Sequence, residues 1–161
     1  MTTIIENLNS KFCKYVESKA IFYRNKLNFA NEDSSHNNLT DAFKHVFSSV
    51  KLTLWLTWPI SRYLTNEHEW KNLEDKSPVE ESIMDFHNNR IGRKLALKAL
   101  CWIFTFRYSE EKVAKEIVNN FDNIILSLED TKISYYKDHL EELFERKCDL
   151  EKFKTYLNDK S

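Results

Sequence analysis

Glycine is nearly absent. The 161-residue chain holds one, Gly92, where average usage would give about 11. Proline is almost as scarce, at two residues. Hairpins and tight turns lean on glycine, so the shortage excludes a turn-rich β architecture and favours helices joined by Asn, Asp and Ser loops. The three cysteines, Cys13, Cys101 and Cys148, are odd in number and far apart, which excludes a C-x-x-C metal or redox pair. Cys13 and Cys101 lie in apolar patterns and are expected to act as small core residues. Nothing in this usage calls for an oxidising compartment.

An excess of one charge is also missing. Lys and Arg total 24 against 25 Asp and Glu, for a net charge of -1. A dedicated nucleic-acid binder needs a basic face, so no nucleic-acid partner is expected. Long hydrophobic runs are lacking too. The most apolar segments, 46–60 and 95–106, are interrupted by Lys51 and Lys98 and fall short of the ~20 apolar residues of a membrane span. No transmembrane segment is expected, and any envelope contact would be peripheral. Residues 1–10 lack the basic start and the apolar stretch of about 7–15 residues of a secretory signal. The expectation is synthesis in the cytoplasm without a signal peptide.

What is present fits one core. The apolar fraction is 42% and the charged fraction 30%, which predicts a single all-α domain over residues 1–161, with five to six helices around a central apolar helix at about 78–107. Ile5, Leu8, Phe12, Tyr15, Val16 and Phe22 recur at helical spacing and predict a first helix over 3–28. The polar run 31–38, with His36, reads as a loop. Thr40 is the expected N-cap of a second helix that carries Phe43, Val46, Phe47, Val50, Leu54 and Trp55 and ends at Trp58, before Pro59. A shorter helical piece is expected from Ile60 to Trp70.

Ser77-Pro78-Val79-Glu80 is the clearest local signal, with a cap, a proline at the first helical position and an acid at the third. The helix it starts should run to Arg107. Ser109 should start a helix with Val113, Ile117, Phe121, Ile124, Ile125 and Leu128 on its buried face. Residues 132–147 and 149–157 are expected to form the last two helices. Trp55, Trp58 and Trp102 are read as packing, and Tyr135, Tyr136 and His139 as surface.

The densest polar stretch lies on the third of these helices, from Met84 to Arg93. At about 100° per residue, Asp85, Asn88, Asn89 and Gly92 share one face, while His87 points away from it. Buried amides and carboxylates are costly without partners, so such a face is rarely accidental. Asp41 and His45 form a second piece, four residues apart on one helix face. In the functional reading Asp41 orients His45 as a general base; the plainer reading is a carboxylate–imidazole pair near a helix start. His68-Glu69 is a third piece, and such a pair on its own is usually solvated. A divalent metal is left open: His45, His68, Glu69, Asp85 and His87 are suitable donors, but this set has neither an H-E-x-x-H form nor an i,i+4 ligand pair. There is no phosphate-binding glycine loop and no nucleophile elbow.

Three segments, Asp41-Ala42-Phe43-Lys44-His45, His68-Glu69 and Met84-Asp85-Phe86-His87-Asn88-Asn89-Arg90-Ile91-Gly92-Arg93, resemble an uncharacterised bacterial domain family. That family occurs at the C-termini of wall-associated and Rhs-type polymorphic toxins and as stand-alone proteins, with a pattern D/N-A-F-R-H, a later H-E, and M-D-L-H-N-N-x-x-G-R. The resemblance covers about residues 39–95. Lys44 stands where the family has Arg, Ser48-Ser49 where it tends to have Trp-Asn, and Phe86 where it has Leu. The resemblance implies an antibacterial effector of interbacterial competition, delivered by a specialised secretion system, with a cognate immunity protein or a secretion-system carrier as partner. By analogy it implies a hydrolase acting on a cell-envelope or other cellular substrate.

In that reading the catalytic set is His45 as base, Asp41 as its orienter, His68 or Glu69 as a second acid–base group, with Asp85 and His87 lining the site. Asn88 and Asn89 would hold a polar substrate group, Arg93 an anion, and Gly92 would permit a close approach. Two other readings stand beside it. One is a non-enzymatic adaptor or immunity-like module, whose polar cluster fixes helix register. The other is a pore that inserts its two apolar helices into a membrane. Sealed and mutually satisfied side chains would favour the module; convergence on an open cleft would favour the enzyme.

Overall fold

The computed structural model describes residues 2–30, 39–75, 77–103, 109–121 and 132–160, and the side chains of all of these but 2–9, 99–103 and 160. The described residues form seven α-helices, one short 3₁₀ turn and no strand. The order is α1 (Thr2–Leu27), α2 (Leu39–Leu56), α3 (Trp58–Glu74), α4 (Val79–Ile103), α5 (Glu110–Val118), α6 (Lys132–Asp138), the 3₁₀ turn Leu140–Glu142 and α7 (Lys147–Lys160). The all-α expectation therefore holds. The expected loop at 31–38 with His36, the residues Ile5, Leu8, Cys101, Trp102, Ile124, Ile125 and Leu128, and the apolar half of α4 beyond Lys98 lie outside the described residues or side chains.

The helix boundaries follow local chemistry. Pro59 sits in the first turn of α3, where its missing N–H costs nothing. The break falls just before it, at Thr57, whose φ of 96° is a conformation that a β-branched residue rarely adopts. Helix α3 is thus longer than the expected 60–70 piece, and Thr40 lies inside α2 rather than capping it. Ser109 caps α5, its hydroxyl accepting from the Lys112 N–H at 3.2 Å. The helix expected over 132–147 is broken at His139, whose backbone leaves the helical region.

Two apolar clusters form around a common wall. Val16, Ala20 and Tyr23 of α1 pack with Phe43, Val46, Phe47 and Val50 of α2, with Ile91, Leu95 and Ala96 of α4, and with Ala114 and Ile117 of α5. Trp70 and Leu73 of α3, Ile83, Met84 and Phe86 of α4, Ile133 of α6 and Phe153 of α7 form the second. Helix α4 belongs to both, its first turns packing in the second cluster and its middle in the first. Helices α2 and α4 share the most extensive contact in the chain, and α3 lies against both. Trp55 departs from the packing expected of it, at 55% exposure. Cys13 is exposed as well, because it faces outward from α1. No helix among the described residues is long and apolar enough to cross a membrane.

Gly92 sets the spacing of α2 and α4. A Cβ built there would overlap the Val46 carbonyl oxygen and lie 2.7 Å from Ser49 Cβ. Neither neighbour can turn away, since one is backbone and the other a first side-chain carbon. Gly92→Ala should therefore destabilise the fold by about 1 kcal/mol, overpacking costing about 1–3 and helix propensity returning about 1. A shift in the urea midpoint at constant slope would register it. An unchanged midpoint would place the two helices farther apart than described.

A second fastening joins α1, α2 and α5. The Glu110 carboxylate receives Lys19 Nζ at 2.7 Å and Lys51 Nζ at 2.8 Å, and the Tyr15 hydroxyl donates to it. Burial alone would raise its pKa, but the hydrogen bonds from Lys19, Lys51 and Tyr15 outweigh that and hold it at about 2. A carboxylate so depressed stabilises the fold fully above its unfolded value near 4.5 and loses that contribution as pH falls toward 2. Glu110→Gln is expected to cost about 1 kcal/mol at pH 7, after allowance for solvent screening. The difference from wild type should vanish near pH 2 in urea titrations, and a pH-independent difference would refute the charge origin.

Candidate functional site

Helices α2, α3 and α4 each contribute to one polar cluster between the two apolar cores. Asp41 and His45 come from one face of α2, one turn apart. Glu69 comes from α3, and Asp85 and Asn89, again one turn apart, from α4. The His45 ring stands at the centre. Its Nδ1 lies 3.3 Å from Glu69 Oε1, and its Nε2 lies 3.1 Å from Asp85 Oδ1 and 3.9 Å from Asp41 Oδ2.

Behind the imidazole the partners are complete. Asn89 donates to Glu69 Oε1 at 2.7 Å, and Asn72 donates to Glu69 Oε2 at 3.2 Å. The Ser49 hydroxyl in turn donates to Asn89 Oδ1 at 2.8 Å. That chain fixes which way the Asn89 amide faces, and so which edge of Glu69 meets His45. Glu69 is 1% exposed and both of its oxygens are engaged. In front of the imidazole the arrangement is open-ended. Lys44 Nζ holds Asp41 Oδ1 at 2.7 Å and leaves Oδ2 toward the ring. Asp85 Oδ1 is buried and accepts no hydrogen bond among the described residues, although it faces Nε2 at ion-pair distance. The side chains of His45 and Asp85 keep 15% and 11% of their surface in solvent.

The charges are strongly coupled. Burial works against a charged imidazole, but Asp85, then Glu69 and Asp41, outweigh it and push the His45 pKa up to about 10. Burial also works against Glu69, yet the facing His45 holds it below its ordinary value. Asp85 is raised well above the usual carboxylate range, by burial first and then by Glu69 and Asp41, with His45 opposing. The three surrounding carboxylates thus favour the charged form of the His45 imidazole.

Other residues singled out from the sequence are placed elsewhere. His68 is exposed and acts on Glu69 only through its charge. His87 is buried on the far flank of α4, its ring 4.7 Å from that of Tyr136, as the helical geometry required. Asn88 is fully buried, which leaves it no surface for a substrate. Gly92 is filled by α2 rather than by a ligand. Arg93 is 2% exposed and already engaged: it donates to Thr65 Oγ1 at 2.7 Å and pairs with Glu145 Oε2 at 3.0 Å. It holds the segment before α7 against α3 and α4 and does not reach the cluster.

Sequence reasoning missed Lys44, Ser49 and Asn72. Lys44 and Asn72 each sit three residues from the carboxylate they contact, a helical spacing that could have found them. Ser49 carried no local signal, because its partner lies 40 residues away.

The sign of the His45 shift gives a pH expectation. A pKa raised from 6.5 to about 10 contributes stability in full below 6.5 and loses it as pH rises through 10. Wild type should lose stability along this alkaline limb, and His45→Gln should flatten it. Denaturant melts between pH 6 and 10.5 would show the difference. Parallel curves for the two proteins would mean that His45 is not held charged.

A protein-family model described as a domain of unknown function (DUF6973) matches residues 4–124, which include every member of the cluster. No curated protein and no solved structure matches the chain. The match spans α1 to α5 and most of the chain's length, and on that ground the chain belongs to the DUF6973 family.

Proposed function

We propose that this chain is an effector-type hydrolase domain, directed against a cell-envelope or other cellular substrate of a competing bacterium. The toxin association rests on the resemblance of the Asp41–His45, His68-Glu69 and Met84–Arg93 segments to polymorphic-toxin domains. The enzymatic part rests on one observation. The front of the cluster is unsatisfied and partly accessible, while its back is rigidly completed by Glu69, Asn89, Asn72 and Ser49.

A polar network kept only to fix helix register is expected to satisfy all its members, since a half-satisfied one costs more than an apolar core. An acid held without a hydrogen bond next to a charged imidazole is instead the kind of strain found at reactive centres. In this reading His45, Asp41 and Asp85 face the substrate, and Glu69 positions the ring. Asn89 is a positioning residue that acts through Glu69. We take the apolar half of α4 beyond Leu95 to complete the central helix of the core. A cognate immunity protein and delivery by a secretion system belong to the same proposal.

Expression of wild type, His45→Ala and Asp85→Asn, in the cytoplasm and separately in the periplasm, tests it with growth as readout. Wild type should arrest growth in one compartment, and both variants should relieve the arrest at equal expression and equal helical content. Unimpaired growth with wild type in both compartments would overturn the toxin reading. A toxic Asp85→Asn with lowered stability would favour the interaction module.

A further inference from the structure

We propose that Asp41, His45 and Asp85 form a binding site for one divalent transition-metal ion, with Glu69 as the carboxylate that orients the imidazole from behind. The inference deepens the hydrolase reading of the same cluster and rests on it for function. As a statement about binding it stands on geometry alone.

Four observations carry it. First, the three side chains offer one nitrogen and two oxygens, all within 4.8 Å of one another. An ion with bonds of about 2.1 Å keeps its ligand atoms about 3–3.5 Å apart. The 3.1 Å between His45 Nε2 and Asp85 Oδ1 is already at that spacing, and the 3.9 Å to Asp41 Oδ2 needs only a small closure. Second, Asp85 Oδ1 is buried, points into the cluster and accepts no hydrogen bond. A buried carboxyl oxygen that faces a ring nitrogen without a hydrogen bond is the arrangement a shared cation would fill.

Third, the rear of the ring has the arrangement that metal-bound histidines need. One ring nitrogen faces a carboxylate that fixes ring orientation, and that carboxylate is itself held by hydrogen bonds. Glu69 fills this place, with both of its oxygens engaged by Asn89 and Asn72. It is therefore excluded from the ligand set, and Nε2 is left as the outward donor. Fourth, Lys44 Nζ meets Asp41 at Oδ1, while Oδ2 is the oxygen turned toward His45 Nε2, so an ion approaching from the ring side would not displace Lys44.

Donor chemistry selects the class of ion. One imidazole with two carboxylates suits zinc, manganese or ferrous iron, whereas magnesium and calcium prefer all-oxygen sites. Three protein ligands leave at least one position for water or substrate, as in catalytic rather than structural sites. A bound ion would polarise that water, while Asp41 and Asp85 share its charge. The Asp41–His45 pair also supplies the one-turn ligand spacing that the donor set drawn from sequence lacked, because that set did not include Asp41.

The test uses untagged full-length protein stripped with a chelator and titrated calorimetrically with ZnCl2, MnCl2 and, for contrast, MgCl2. One equivalent of zinc or manganese should bind, with magnesium at least 100-fold weaker. Asp41→Asn and Asp85→Asn should each weaken zinc binding at least 100-fold, and Glu69→Gln, which preserves shape, by about 10–100-fold. Helical circular dichroism controls for folding in every variant, and a variant that loses its signal is replaced by Asp85→Ser. X-ray absorption of the zinc form should show nitrogen and oxygen ligands only, with a single imidazole. No saturable binding, a sulfur ligand, or zinc affinity unchanged in both aspartate variants would overturn the proposal. The two readings fail separately. Stoichiometric binding without growth arrest keeps the metal site and removes the toxin, whereas growth arrest by a protein that binds no ion does the reverse.

Discussion

The close approach of α2 and α4 at Gly92 is the constraint from which the rest follows. With no side chain on Gly92, the α4 backbone comes against the Val46 carbonyl and Ser49. At that distance one turn of α4, Asp85 and Asn89, reaches two turns of α2, Asp41, His45 and Ser49. The hydroxyl–amide contact between Ser49 and Asn89 at 2.8 Å sits beside the glycine and depends on the same spacing. A wider crossing would part Asp85 from His45 and open the cluster to water. In a chain that otherwise avoids glycine, this one is held where two helices must nearly touch.

The two apolar cores make the burial of charge tolerable. Phe43, Phe47 and Val50 hold α2 on one side, while Ile83, Met84 and Phe86 anchor α4 on the other. Carboxylates placed between such walls are stabilised only if opposite charge is brought with them. His45 and Lys44 bring it. Burial raises Asp85, while the carboxylates around His45 favour its charged form and His45 in turn holds Glu69 below its ordinary value. Asp85 Oδ1, a buried oxygen that accepts no hydrogen bond among the described residues, faces Nε2 beside Asp41. The cluster is complete at the back and incomplete at the front.

Arg93 shows how a residue can be important for a reason other than the expected one. A guanidinium near a polar cluster reads from sequence as an anion receptor. In the fold its donors go to Thr65 and Glu145, and Arg62 likewise goes to Asp149 at 2.8 Å. These pairs fasten the C-terminal segment, which lies outside the matched family region, onto the helices that carry the site. The C-terminal segment thus braces α3 and α4.

The sequence by itself determined what is local. The scarcity of glycine, the helical spacing of Phe12, Tyr15 and Val16, and the breaks at Pro59 and Ser109 act within a few residues, and each was legible, whereas Phe22, expected on the same stripe, is exposed and Tyr23 takes the buried place. So was the split of the Met84–Arg93 stretch into two faces, with Asp85, Asn89 and Gly92 turned away from His87, because 3.6 residues per turn is a property of one helix. Tertiary structure decided which faces meet. That Glu69 and not His68 turns inward, that Ser49 reaches Asn89 across 40 residues, and that Glu145 claims Arg93 across 52 depend on how α2, α3 and α4 cross. Those crossings are fixed by packing and by the missing Cβ at Gly92, and pairings between residues distant in the chain leave no periodic trace within it.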